Sequence, residues 1–260
     1  VVAVLKTMNL KQIRQPYYIV DFVGELLNDE TNEKLALEIL DKVVDAFPQY
    51  RANAISRIRN PKLWQSDSFF ELGKKMVLPT EADLQSNPWS GLSVYSYSGD
   101  GIVNSHFHTL LRGLEASPRL DDLQNAIKAS CEKFPTWHAG KAMLALIDLQ
   151  QGKKEEARVA LESLVANVDV VASMTSDAGW LIGQELNKFP ETSTIAQTLL
   201  EKAMTRDNGM NEFQYTPGPG LIKAYMAAGR RDDARALLVK SMRSTRTGGH
   251  QPDYDAYQRT

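Results

Sequence analysis

The sequence lacks several features that would point to a particular class of protein. It contains a single cysteine, Cys131, so no internal disulfide can form. Its longest apolar runs fall short of the roughly 20 residues that a membrane-spanning helix needs. The formal net charge is only −2 over 260 residues, which argues against a dedicated nucleic-acid or membrane-surface protein. The first residues, Val1 to Lys6, do not resemble a signal peptide. The compartment and oligomeric state stay open.

The motifs that usually identify an enzyme are also missing. The sequence has no Gly-x-Ser-x-Gly elbow and no phosphate-binding P-loop. Cys131 lies in an amphipathic pattern without a basic neighbour, so we interpret it as a core residue. His106 and His108 could form a metal site with His138 and Asp100, but a spacing of two points their rings to different helix faces. We therefore expect no metal, no cofactor and no catalysis.

What the sequence does have is a repeated helical pattern. The segments 34–50 and 123–137 both show apolar residues at spacings of three and four, and both end in Phe-Pro followed by an aromatic residue. Pro48 and Pro135 cannot continue a helix and mark its end. The pattern predicts amphipathic helices that occur more than once along the chain.

The first two-helix unit runs from about Tyr17 to Pro48, and two later units cover about 142–164 and 222–242. Small residues such as Gly24 and Ala36 fall where two helices would cross closely. In the later units a glycine closes the first helix, and an acidic pair begins the second, where the helix dipole favours negative charge. The corresponding positions Leu123, Ala157, Ala196 and Ala234 are 34, 39 and 38 residues apart.

This order of large and small residues, with a period near 34, resembles the tetratricopeptide (TPR) family. The resemblance implies an all-α fold, a right-handed α-solenoid of antiparallel helix pairs, whose first helices form a concave binding face. We expect N-terminal repeats in residues 1–78, a loop or hairpin insertion in 79–103, further repeats in 104–244 and a polar tail in 245–260. An extended linker is expected from Gly209 to Gly220.

The resemblance also implies a binding or scaffolding function, with a protein or peptide as the partner and no nucleic acid. The candidate contact residues on first helices are Tyr18, Asp21, Glu25, Leu146, Gln150 and Lys223. These residues depart from the lysine and asparagine pattern of family members that clamp a C-terminal carboxylate, and they suggest a partly acidic, partly apolar groove. The alternative is a non-catalytic helical domain of a larger enzyme that positions a substrate or a catalytic domain.

Three aromatic residues of the insertion, Trp89, Tyr95 and Tyr97, form a further set of candidates. Large aromatic side chains on a loop either contact a partner or fold back onto neighbouring helices. Basic residues from Arg230 to Arg246 are interrupted by Asp232 and Asp233 and have no interleaved aromatics, so we interpret them as a solvated helix face.

Overall fold

A computed structural model describes residues 18–19, 22–23, 26, 30–46, 66–92, 94–97, 103–115, 117–206 and 218–245. In chain order its regular elements are α1 (Glu33–Ala46), α2 (Asp67–Val77), α3 (Glu81–Ser86), β1 (Val94–Tyr97), β2 (Val103–Ser105), α4 (His106–Gly113), α5 (Arg119–Lys133), α6 (His138–Gln150), α7 (Lys154–Ala166), α8 (Val168–Ser173), α9 (Ser176–Leu186), α10 (Ser193–Arg206), α11 (Gly218–Ala227) and α12 (Arg231–Thr245). Short 3-10 turns at Glu30–Asn32 and Pro190–Thr192 precede α1 and α10.

The helices pack mainly against their neighbours in the chain. The closest pairs are α6 with α7, α9 with α10, and α11 with α12, and α5 and α10 connect them to the helices on either side. Helices joined by short turns pack antiparallel, and a stack of such pairs buries one continuous core. The predicted all-α repeat fold is confirmed in the described residues, apart from one two-stranded hairpin.

Local sequence explains where these helices begin and end. Ser66, Thr80 and Thr175 each accept a hydrogen bond from a backbone amide of the helix that follows, which satisfies an otherwise unpaired donor. Gly152 and Gly229 close α6 and α11 with φ of 81° and 73°. Glycine adopts this left-handed conformation without strain, as the sequence predicted for both turns.

Small residues allow close helix crossings, as the repeat pattern implies. A β-carbon placed on Gly183 of α9 would lie 2.9 Å from Leu200 Cγ and 3.2 Å from the Ala196 carbonyl oxygen, both on α10. In the first unit, Ala36 of α1 is fully buried. Its expected partner Gly24 lies outside the described residues, so that crossing stays a prediction.

The structure adds elements that the sequence pattern did not indicate. Helices α3 and α8 interrupt the regular pairs, and α8 accounts for part of the 39-residue spacing after Ala157. The expected linker is shorter than predicted, because α11 begins at Gly218, and residues 207–217 lie outside the described residues.

The predicted insertion contains α3 and most of a hairpin. Strands β1 and β2 pair antiparallel, with Val94 opposite Ser105 and Tyr97 opposite Val103. The proposed domain limits stay a prediction, and the tail beyond Thr245 lies outside the described residues.

Candidate functional site

A groove of about 630 Å³ runs across four helices. Its walls come from α4, α6, α9 and α11, from the first residue of α7 and from the turn that follows α9. Helices α6, α9 and α11 each precede the helix that they pair with, and α4 packs against α2 and α6. Most of the groove therefore lies on the face formed by the first helices. This is the face that the repeat pattern predicted for binding.

The groove residues recur along the chain with a constant period. Three rows of lining residues are each spaced by 38 positions: His108, Leu146 and Gln184; Leu111, Leu149 and Asn187; and Arg112, Gln150 and Lys188. Equivalent positions on successive first helices therefore present side chains to the same groove. On α6 and α9 these residues lie in the C-terminal half of the helix or directly after it, so the groove crosses that end of both helices.

The groove combines apolar and charged side chains. The apolar residues of the lining are called the groove floor here; they are Leu111, Leu146, Leu149 and Phe189. The positively charged residues of the lining are called the groove cations; they are Arg112, Lys154, Lys188 and Lys223. The single carboxylate of the lining is Glu185, and its oxygen lies 2.5 Å from Lys188 Nζ. Four cations and one carboxylate give this surface a local charge of +3.

His108 lies among these groups on α4. Loss of solvent around the imidazole, together with the positive charges of Arg112 and Lys188, lowers the pKa of His108 to about 4. The imidazole packs edge-on against the Phe107 ring, with centroids 6.1 Å apart. His108 is therefore neutral at pH 7 and adds a polar, uncharged group to the groove.

Three of the predicted contact residues meet in this groove: Leu146, Gln150 and Lys223. Tyr18 is 65% exposed but is not part of the groove lining, and Asp21 and Glu25 lie outside the described residues. The described lining is mainly basic, with Glu185 as its single carboxylate. The expectation of a partly acidic groove rested on Asp21 and Glu25 and stays a prediction. The prediction relied on the first repeat and missed Arg112, Lys154 and Lys188. A 38-residue period applied to Gln150 could have found Arg112 and Lys188.

Trp89 does not belong to a surface that could meet a partner. Its side chain is only 1% exposed, and the indole Nε1 donates a hydrogen bond to Ser173 Oγ at 3.3 Å. The indole also packs against the His138 ring, with centroids 5.7 Å apart. The prediction of Trp89 as a binding residue is therefore corrected: it folds back onto α6 and α8, where burial stabilises the aromatic ring.

We call residues 87–92 the strap, because they contact both the start of α6 and α8. The Pro88 carbonyl accepts hydrogen bonds from the backbone amides of His138 and Ala139, at 3.0 and 3.3 Å. These amides begin α6, so the strap caps that helix from a distant part of the chain. The Ser90 carbonyl accepts a bond from Trp137 Nε1 at 2.9 Å.

The two remaining aromatic residues of the insertion belong to the hairpin. Tyr95 and Tyr97 lie on β1, and their role as contact residues stays a prediction.

Within the described residues, no group of three or more His, Cys, Asp or Glu side chains could hold a metal ion. Burial raises the pKa of the Cys131 thiol, with Lys141 opposing part of that effect. None of the described helices is long and apolar enough to cross a bilayer.

No protein-family model and no curated protein sequence matches the chain. Among solved structures, the chain is similar to a Podosopora anserina protein described as a putative kinesin light chain with nearly identical TPR-like repeats. The sequence identity is 15% and the TM-score is 0.39, over 92% of this chain and 100% of that chain. It is also similar to BtubC (BKLC) from P. vanneervenii, at 16% identity and a TM-score of 0.42, over 95% of each chain.

The helix pairs, the glycine-closed turns and the groove along the first helices define the class. In fold, the described residues form the stack of helix pairs that the repeat pattern predicted. The recognition made from the residues is confirmed at the level of the fold.

Proposed function

We propose that this protein binds a segment of a protein or peptide in the groove and performs no bond chemistry on it. The observation that supports this function is the row structure of the groove, in which equivalent residues of successive first helices line one continuous surface. An extended chain presents its side chains at regular intervals, and such a surface can contact several of them at once.

The residues proposed to make contact are Leu146, Gln150 and Lys223, which the sequence predicted and the groove brings together. Leu146 belongs to the groove floor and would bury an apolar side chain of the partner. Gln150 and Lys223 lie at the rim and would bond to polar groups of the bound segment. Apolar anchors combined with a polar rim are typical of specific protein interfaces.

The test uses a library of random peptides and a variant that obstructs the groove. Gln150 is exposed at the end of α6, so Gln150→Trp adds bulk at the groove without disturbing the core. The matched control is Asn125→Trp, on the exposed surface of α5, a helix that does not line the groove. Circular dichroism and thermal melting would show that both variants are folded.

We expect the wild type and the Asn125→Trp variant to retain the same set of peptides. Gln150→Trp should reduce capture by about tenfold, because a filled contact position removes roughly 1.4 kcal/mol or more of binding. Equal capture by all three proteins, or capture by none of them, would refute binding in this groove.

A further inference from the structure

The charge of the groove contrasts with the charge of the chain. The lining carries four cations and one carboxylate, a local charge of +3, whereas the whole chain has a formal net charge of −2. The cations come from four different parts of the fold: Arg112 from α4, Lys154 from the start of α7, Lys188 from the turn after α9, and Lys223 from α11. Positive charge is therefore distributed along the groove rather than concentrated at one end.

The imidazole of His108 responds to this positive potential. Besides loss of solvent, the charges of Arg112 and Lys188 lower the pKa of His108. The groove near His108 is thus electropositive, which favours an anionic group there.

The dimensions and the floor favour a peptide over a compact anion. Neighbouring helices pack roughly 10 Å apart, so four first helices span about 30 Å. An extended chain advances about 3.3 Å per residue, so the groove could hold about nine residues. The groove floor offers apolar contacts beside the cations, which an acidic peptide with interspersed apolar side chains can use.

A nucleic acid fits the same surface less well. Proteins that bind single strands stack successive bases on aromatic side chains. In the described lining, Phe189 and His108 are the aromatic rings, and only the first belongs to the floor. Stacking partners at regular intervals are therefore not provided by the rows of the groove.

We infer that the groove binds an extended acidic peptide segment, whose carboxylates contact the groove cations and whose apolar side chains contact the groove floor. This inference rests on the function proposed above and specifies the chemistry of the partner. The contribution of the cations is electrostatic, so the affinity falls as salt is added.

The experiment compares the composition of bound peptides between matched charge variants of the 260-residue chain. Random peptides of about nine residues are selected on the wild type, on Lys223→Glu and on Lys128→Glu. Lys223 and Lys128 are both exposed, and both substitutions change the net charge equally. Lys128 lies on α5, away from the groove lining. The wild type and the Lys128→Glu variant should enrich Asp and Glu, and Lys223→Glu should lose most of that enrichment.

A second variant tests the opposite direction. Glu185→Gln removes the single carboxylate of the lining with little change in shape. We expect a selected acidic peptide to bind this variant about fivefold more tightly than the wild type, and Lys223→Glu about fivefold more weakly. Thermal melting confirms that each variant is folded before the affinities are compared.

The outcomes separate this inference from the function proposed above. If the groove retains peptides that Gln150→Trp releases, but these are not enriched in acidic residues, the acidic partner is wrong and the binding function stands. If no retained peptide depends on Gln150, both are wrong. A thymidine oligonucleotide that binds more tightly than the best acidic peptide, and competes with it, would also overturn the inference in favour of a nucleic acid.

Discussion

Replacing Trp89 with alanine is expected to detach the strap from the stack. The indole is buried between α6 and α8, against His138 and Ser173. Its removal leaves a cavity at the point where the strap caps α6 through the Pro88 carbonyl. We therefore expect a loss of global stability together with a local loss of structure at the start of α6.

The magnitude follows from the buried side chain. Truncation of a buried tryptophan to alanine costs about 3–5 kcal/mol in the free energy of unfolding, because the lost transfer energy and the cavity add. The hydrogen bond to Ser173 contributes about 1 kcal/mol within this range. For a chain of this size the midpoint of thermal unfolding should fall by roughly 10 °C. Trp89→Phe, which retains most of the apolar volume, should cost distinctly less.

Thermal melting and amide hydrogen exchange would measure the two effects. Exchange at the backbone amides of His138 and Ala139 should accelerate, because both donate to Pro88, while α12 should be little affected since repeats couple mainly to their neighbours. The control is Val159→Ala, at a side chain that is 51% exposed, with an expected cost within about 0.5 kcal/mol. If Trp89→Ala melts like this control, the strap does not stabilise the stack and the reasoning fails.

The remaining predictions concern Gly140, Gly229 and the imidazole of His108. Gly140→Ala should lower the free energy of unfolding by about 1–3 kcal/mol, because the new methyl would meet Trp137 and lie 2.7 Å from Cys131 Sγ. Gly229 has open space around it but a φ of 73°. Gly229→Ala should therefore lower the free energy of unfolding by about 1 kcal/mol, measured in denaturant melts. The depressed pKa of His108 makes the protein lose stability as pH falls from about 6.5 towards 4. Arg112→Gln should raise the pKa of His108 in an NMR titration, without moving that of His138; no change would contradict the proposed potential.

The repeat fold could be predicted from the sequence because its signals are local. Apolar spacing fixes a helix, and Gly152 and Gly229 close the helices where a left-handed residue is needed. Helices α3 and α8 were missed because each has only six residues, too few to show a periodic apolar pattern. Capping residues Thr80 and Asn167 define their starts instead.

The groove was predicted less completely, because its residues are set by how helices stack rather than by any one helix. Leu146 and Gln150 were found from the phase of a single helix. Arg112 and Lys188 become equivalent to Gln150 only when a 38-residue period is applied, whereas the period of the repeat family is about 34 residues. Trp89 was misassigned for a related reason: its burial depends on Ser173 and His138, which are distant in sequence.

The strap and the groove meet on one helix. The N-terminal end of α6 is held by the strap through the amides of His138 and Ala139. The C-terminal half of the same helix supplies Leu146 and Gln150 to the groove. An α-helix of 13 residues is about 20 Å long and stiff on that scale. A displacement of its capped end therefore moves the groove wall with it, so the position of the wall depends on the strap although the strap does not line the groove.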